Sequence, residues 1–309
     1  MVGRVVSVNL SKEKGTVKQP VSSVQLNEFG IVGDAHAGSW HRQISLLSKE
    51  QIDVFVRQTG MRIQSGAFAE NIITHGLNLS RVGLLDRIKI GRAEIQVTQI
   101  GKKCHDANCA IFHETGSCLM PKNGIFARVL QGGIISPGDA IEMIPFRLDI
   151  QIITLSDRAA AGLYEDRSGP TIRRALQSFF ADKRWHLEIA IDVIPDDPMV
   201  LQEKIESVRD RKAAIVITTG STGVGARDIA PRIVASLCDR LIPGLMEYIR
   251  IKYGTDNPRA LLSRSMAGIA GETLVYALPG SVKAVDEYMS EILKTMEHLL
   301  LMIRQVDNH

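Results

Sequence analysis

Short apolar runs broken by glycine fill the first 147 residues, and the spacing of apolar positions changes after Pro145. GRVVSVNLS, RQISLLS, DRIKIG, AEIQVTQI and GDAIEMI have the length and β-branched content of strands. VGD, HAGS, IGRA and SPGD supply turn residues between them. Ser48–Gln58, SKEQIDVFVRQ, reads as a helix, with Ser48 and Gln51 spaced as a capping box. Many short strands and little helix predict a mostly-β barrel over residues 1–147.

The remainder alternates. IQIITLS, LEIAIDVI, AAIVITT and ETLVYALPG read as compact buried strands. Between them lie amphipathic helical patterns: SGPTIRRALQSFFA, PMVLQEKIESVRD with Pro198 suited to a first turn, a helix near Pro231, and the long closing SVKAVDEYMSEILKTMEHLLLMI. This alternation predicts an α/β doubly wound, mainly parallel sheet with helices on both faces over residues 149–309. The boundary falls near residues 145–149, and no internal repeat is visible.

Composition adds limits. A chain of 309 residues suits two domains of roughly 100–200 residues each. Up to Arg147 there are 17 Lys/Arg against 12 Asp/Glu, and afterwards 20 against 22. The basic first half suits an anionic ligand, although solvated surface lysines give the same count. Aromatics are 5% and do not interleave with basic residues, so no nucleic-acid partner is expected. No apolar run approaches the ~18 residues of a membrane span. MVGRVVSVNLSKEKG lacks a secretory core, so a cytoplasmic protein is expected. Three of the four cysteines crowd into residues 104–118, unlike a secreted disulfide framework.

ITTGSTGVGARDIAP, residues 217–231, has the glycines and hydroxyls of a phosphate loop without the lysine of a P-loop. Open parallel sheets bind ligands at the carboxyl ends of their strands. Three more loops belong there: LSDRAAAGLYEDRSGP (155–170), IPDDP (194–198) and LPGSVKAV (278–285). Gly220, Gly223 and Gly225 admit close backbone approach, and Ser221 and Thr222 offer hydroxyls. Asp196 and Asp228 end two loops on one face, and paired carboxylates near phosphates suit Mg²⁺, as nucleotidyl transfer requires. An Arg-Asp pair before a helix is also an ordinary N-cap pattern, and spacing leaves both readings open.

TTGSTGVGARDIAP, with LSDRAAAGLYEDRSGP, VIPDD, LIPGLMEYIR and SMAGIAGETLVYALPGSVKAV in that order, resembles the signatures of the MogA/MoaB-like molybdopterin adenylyltransferases over about residues 149–305. The resemblance implies a trimeric α/β fold that takes molybdopterin and Mg-ATP and releases pyrophosphate. It implies catalytic, Mg²⁺-holding roles for Asp196 and Asp228. It places substrate contacts on Thr219, Gly220, Ser221, Thr222, Gly223, Arg227 and Glu247. Ser156, Asp157, Asp166, Ser168, Gly169, Pro279, Gly280 and Ser281, within its first and last motifs, are further candidates. Ser221 stands where the family usually has glycine, which puts a Cβ close to the expected phosphate, while Ala230 and Val282 replace threonine and proline.

The stretch 101–139 holds Cys104, Cys109 and Cys118 with His105 and His113 between them. Zinc is one reading, although no CxxC or HxxxH pair supports it. Inert buried cysteine is another. A thiolate at Cys104, among Lys102, Lys103 and His105, is the third. GIVGDAHAG with RQISLLSKEQI, GAFAENIITHGLNLSRVGLLDRIKIGRAEIQVTQIGKKC and GIFARVLQGGIISPGD resemble the MOSC domain, named after the molybdenum cofactor sulfurase C-terminus. That resemblance implies a β-barrel that binds molybdenum cofactor and carries sulfur on Cys104 or Cys118, with Arg42, Glu70, Asn71 and Arg128 as candidate pocket lining. It implies a cysteine desulfurase or a molybdenum-insertion enzyme as partner. Cys238 reads as a helix-core residue. Both halves point to a fused enzyme of molybdenum cofactor biosynthesis; the alternative is a non-catalytic carrier or scaffold.

Overall fold

Ile44–Ser48, the RQISLLS strand, is buried at every position, so both of its faces are covered. The reason is a ring of strands on one side and a helix on the other. The computed structural model describes residues 2–103 and 118–306. They form two units, the first running to Phe146 and the second covering Arg147–Val306.

The strands of the first unit are β1 (Val2–Leu10), β2 (Gln19–Val21), β3 (Val24–Asn27), β4 (Gly30–Ile31), β5 (Ile44–Ser48), β6 (Ile72–His75), β7 (Arg87–Ile90), β8 (Ala93–Ile100), β9 (Ile125–Gln131), β10 (Gly133–Ile135) and β11 (Ala140–Ile144). Seven close into a barrel in the order β1-β11-β7-β8-β9-β5-β6, with β6 returning to β1. Only the β5–β6 pair in this ring is parallel. Closure removes the exposed edges that a flat sheet leaves. β2 pairs with β1, while β10, β3 and β4 form a small second sheet.

Val5, Ile44, Leu46, Ile88, Ile95, Val97 and Ile141 fill one core cluster. Leu47 joins a second with Ile52 and Phe55 of α1 (Lys49–Thr59). The Ser48 hydroxyl accepts the Gln51 N–H at 3.2 Å, and Gly60, at φ 71°, ends the helix. The predicted capping box is half formed, since Gln51 Oε1 is buried without a partner among the described residues. A short α2 (Met120–Asn123) precedes β9.

One buried polar knot fixes the loops at the barrel rim. The Asp34 side chain is fully buried and accepts Lys18 Nζ at 2.5 Å, Asn71 Nδ2 at 3.1 Å and the Ser11 N–H at 3.2 Å on one oxygen. Its other oxygen accepts the His36 N–H at 2.9 Å. Burial pushes the Asp34 carboxyl up, but the bonds from His36 and Lys18 outweigh it and hold it well below the usual range. Glu70 accepts the N–H groups of Gly66 at 2.6 Å and Phe68 at 3.0 Å. Burial still pushes its carboxyl up to about 7.

The second unit is a six-stranded sheet in the order β13 (His186–Ile194), β12 (Arg147–Leu155), β14 (Ile215–Thr219), β17 (Thr273–Leu278), β16 (Met266–Ala270), β15 (Arg240–Leu241). The first four of these are parallel. β16 runs antiparallel to them, because β16 and β17 form a hairpin whose turn carries Gly271 at φ 62°, and β15 pairs antiparallel with β16. The helices are α3 (Asp157–Ala160), α4 (Ser168–Phe180), α5 (Pro198–Asp210), α6 (Ala230–Leu237), α7 (Pro243–Gly254) and α8 (Val282–Ile303). Leu201, Ile205 and Val208 of α5 and Ile233 and Val234 of α6 pack with Ile153, Val216 and Val275 of the sheet. α4 and α8 touch each other, and they meet β12 and β17 respectively. Leu155 stands opposite Ile194, Thr154 opposite Thr219, and Thr219 opposite Leu278. Four loops therefore leave the sheet at one level. No helix among the described residues is long and apolar enough to cross a membrane.

Glu70 gives the first unit a pH signature. Its folded value of about 7 lies above the ~4.3 of an unfolded glutamate, so the folded state holds a proton that the unfolded chain has lost. Stability from this group is complete below ~4.3 and is lost as pH rises towards 7, by about 4 kcal/mol at most. Asp34 has the opposite sign: its contribution is present in full above the unfolded value of ~3.9 and is lost as pH falls below it, so it is constant between pH 5 and pH 8. Urea titrations at pH 5 and pH 8 are expected to show a lower midpoint at pH 8, and Glu70→Gln to flatten that difference. Equal pH slopes in both proteins would remove Glu70 as the cause.

Candidate functional site

The loop after β14 is built by close backbone contact. Gly220 lies at φ 101°, and a Cβ there would stand 2.5 Å from the Leu155 carbonyl oxygen. A Cβ on Gly280 would stand 3.1 Å from the Gly220 Cα. The Gly220 N–H donates to Leu278 O at 2.9 Å, and the Thr219 hydroxyl donates to Pro279 O at 2.9 Å. The loops after β12, β14 and β17 thus meet main chain to main chain, which only glycine permits.

Ser221 follows at φ 56°, in the left-handed region that favours glycine. Its hydroxyl donates to Arg227 O at 2.9 Å and accepts the Ile229 N–H at 3.0 Å. These bonds offset the strained conformation and close the loop on itself. The hydroxyl expected to face a phosphate is thus committed to the loop. Gly223 and Gly225 are explained in the same way. A Cβ on either would stand 2.7 or 3.0 Å from Asp228 Oδ2, so both make room for that carboxylate. The Gly225 N–H donates to Asp228 Oδ2 at 2.8 Å. Arg264, which no local pattern singles out, donates from Nε to Gly223 O and from Nη2 to Asp228 O, each at 2.6 Å. Its N–H donates to the carbonyl of the buried Thr222 at 2.8 Å.

Two clefts open at this end of the sheet. The first, of about 550 Å³, is lined by Ser156, Asp157, Asp196, Ser221, Arg227 and Asp228 among others. Asp157 and Asp196 bond reciprocally, Asp196 N–H to Asp157 Oδ1 at 2.9 Å and Asp157 N–H to Asp196 Oδ2 at 3.3 Å. Arg227 reaches Asp157 at 3.8 Å and is otherwise exposed. The second, of about 430 Å³, is lined by Ser156, Tyr164, Asp166, Ser168, Thr219, Gly280 and Ser281 among others. The clefts share Leu155 and Ser156. Ser156 and Ser281 cap α3 and α8 by accepting the N–H groups of Ala159 and Ala284. Asp166 accepts Thr154 Oγ1 at 2.9 Å and both Ser168 Oγ and the Gly169 N–H at 3.1 Å. Thr154 is a partner that the sequence motifs do not mark. Glu247 is exposed on α7 and lines neither cleft. Cys238, packed against the core, has its thiol pushed up to about 11 by burial.

The barrel carries a third pocket, of about 270 Å³. Lys14, Arg42, Lys102 and Lys103 line it with Trp40, Phe68 and Phe126, and none of its described lining residues is acidic. The Arg42 guanidinium stands 4.9 Å over the Trp40 ring, and its Nε is buried without a partner among the described residues. His36 and Asn71, both tied to Asp34, also line this pocket. Glu70 and Arg128 are not among its lining; Arg128 donates to Gln96 Oε1 at 2.8 and 3.1 Å. Cys118 is half-buried against the cluster of Phe68, Met120 and Phe126. Cys104, Cys109, His105 and His113 lie outside the described residues. Among the described residues no group of three or more His, Cys, Asp or Glu is placed to hold a metal.

Residues 151–298 match the family model of a probable molybdopterin binding domain, and residues 33–142 match that of the MOSC domain. The chain is 30% identical over 157 residues to a molybdopterin adenylyltransferase of Helicobacter pylori, covering 50% of this chain and 88% of that protein. It is 34% identical over 146 residues to a molybdopterin adenylyltransferase of Haemophilus influenzae, covering 47% of this chain and 73% of that one. A molybdenum cofactor biosynthesis bifunctional protein of Synechococcus elongatus is 32% identical over 157 residues, which are 51% of this chain and 48% of that protein. The chain belongs to the MogA/MoaB-like molybdopterin-binding family through its second unit, and it carries a MOSC domain in its first.

Proposed function

We propose that the second unit transfers an adenylyl group from ATP to the terminal phosphate of molybdopterin. An oxygen of the pterin phosphate attacks the α-phosphorus of ATP, and the bond from that phosphorus to the pyrophosphate oxygen breaks. The observation that carries this reading is the pair of clefts sharing Leu155 and Ser156, with Asp196 and Asp228 in one of them. Two substrates held on either side of a common wall meet there. The N-termini of α4 and α8, at Ser168 and Ser281, favour phosphate in the second cleft.

Mg²⁺ fits the first cleft. Asp196 and Asp228 are half-buried oxygen ligands, each oriented by a backbone N–H on one oxygen. A cation that takes one or two carboxylates and completes its shell with phosphates and water needs no protein cage. When bound it offsets charge on the phosphates during transfer. Asp157 keeps Asp196 in place, and Arg227 stands ready for the anionic leaving group at the cleft mouth.

The first unit, in this reading, binds the cofactor by its phosphate among Lys14, Arg42, Lys102 and Lys103, with the pterin ring against Trp40. Cys104 or Cys118 then carries sulfur received from a cysteine desulfurase. A trimer in the cytoplasm completes the reading taken from the family resemblance.

Pyrophosphate release with Mg-ATP and molybdopterin tests the reaction. Asp228→Ala is expected to lower kcat about 100-fold or more, and Asp196→Ala about 10- to 100-fold, the range for removing a group that stabilises transition-state charge. Equal rates in wild type and Asp228→Ala, or no release from either, would favour the carrier. For the barrel, Arg42→Ala is expected to weaken molybdenum cofactor binding about 10-fold, the loss of one charge-assisted contact, without slowing pyrophosphate release. Binding followed by Trp40 fluorescence measures it, and Arg128→Ala, outside the pocket lining, serves as the unaffected comparison.

A further inference from the structure

We infer that Arg264 is the positioning residue for Asp228, clamping both arms of the loop so that its carboxylate is presented in one orientation. The inference rests on the adenylyl-transfer reading above. Val224 to Arg227, at the tip of the loop, are exposed, with no core packing to hold their shape. Arg264 grips the arm before the tip at Thr222 O and Gly223 O, and the arm after it at Asp228 O. Three carbonyls on two arms are thus tied to one residue. With the arms held, the Gly225 N–H falls 2.8 Å from Asp228 Oδ2 and turns the carboxylate.

The anchor itself is firm. Ser265, the next residue, is buried and donates its hydroxyl to Tyr288 Oη at 2.7 Å, within α8. Its carbonyl accepts Arg250 Nη1 of α7 at 2.9 Å. The clamp is therefore fastened to two helices, and it ties to them a loop whose bonds at Ser221, to Arg227 O and from the Ile229 N–H, lie within the loop itself. A planar guanidinium serves two carbonyls at fixed angles, and an ammonium does not, so arginine is required here and lysine is a poor substitute. Arg264 lines neither cleft, so its effect passes through Asp228.

The test uses the full chain with Arg264→Ala, Arg264→Lys, Asp228→Ala and the double variant Arg264→Ala/Asp228→Ala. Hydrogen exchange of residues 222–228 is expected to accelerate about 10-fold or more in Arg264→Ala and less in Arg264→Lys, with exchange in α7 and α8 unchanged. Mn²⁺ binding in the presence of a non-hydrolysable ATP analogue, read by electron paramagnetic resonance, is expected to weaken about 10-fold, the scale for lost support of a metal ligand. In pyrophosphate release, kcat of Arg264→Ala is expected to fall about 10- to 100-fold with the KM for molybdopterin little changed, and the double variant to be no slower than Asp228→Ala. Unchanged exchange and Mn²⁺ affinity, or losses that multiply in the double variant, would overturn the clamp. If wild type releases no more pyrophosphate than Asp228→Ala, the adenylyl-transfer reading fails instead, and exchange and Mn²⁺ binding still decide the clamp.

Discussion

No side chain fits between the loops that leave β12, β14 and β17. Their registers bring Thr154, Thr219 and Leu278 to one level, and the Gly220 and Gly280 backbones lie in contact. The close approach of the two clefts follows from that constraint. With the loops touching through main chain, Ser156, Asp228 and Ser281 line the clefts while their side chains accept N–H groups of Ala159, Gly225 and Ala284. Any bulk at Gly220 would push the loop off the Leu155 carbonyl and separate the two lining sets that share Ser156.

The same constraint sorts what the sequence displays from what it conceals. Strands with uninterrupted apolar runs and helices with apolar periodicity are local events, so β12, β14, β17, α4, α5 and α8 are legible as patterns. The carboxyl-end loops are then located by topology. What a glycine or serine does within such a loop depends on distant partners, and it is not legible. Gly223 and Gly225 look like openings for a phosphate but accommodate Asp228. Ser221 looks like a donor to ligand but is spent on Arg227 and Ile229. Arg264 lies 36 residues from Asp228 in a segment without periodicity, and only the folded chain brings them together.

The barrel illustrates the same division. Its strands are visible one by one, but the ring order and the parallel β5–β6 pair depend on pairings between remote segments. Lys18 and Asp34 are both common surface types, and nothing around them announces a buried ion pair. Its role is clear only from its neighbours. Asp34 bonds Asn71 and the His36 backbone, so the knot shapes the polar wall of the pocket while Phe68 and Phe126 shape the apolar one. Breaking one partner of such a pair leaves a buried charge, which costs about 3–5 kcal/mol, so the wall is set rigidly.

The two units meet anions by opposite means. The first unit's excess of basic residues is used locally, with four cations around a pocket that has no acid in its described lining. In the proposed function a direct cradle of this kind holds a phosphate without transforming it, because fixed charges gain as much from the ground state as from any later state. The second unit places three carboxylates, Asp157, Asp196 and Asp228, in the cleft where polyphosphate is proposed to lie. Bare carboxylates repel that ligand, so the proposed adenylyl transfer calls for a divalent cation that arrives with the nucleotide. A charge that comes with one substrate and leaves with its product releases the site after each turnover. Under the proposed function, basic side chains in one unit and acids in the other are therefore the difference between a site that retains a phosphate compound and one that transforms it.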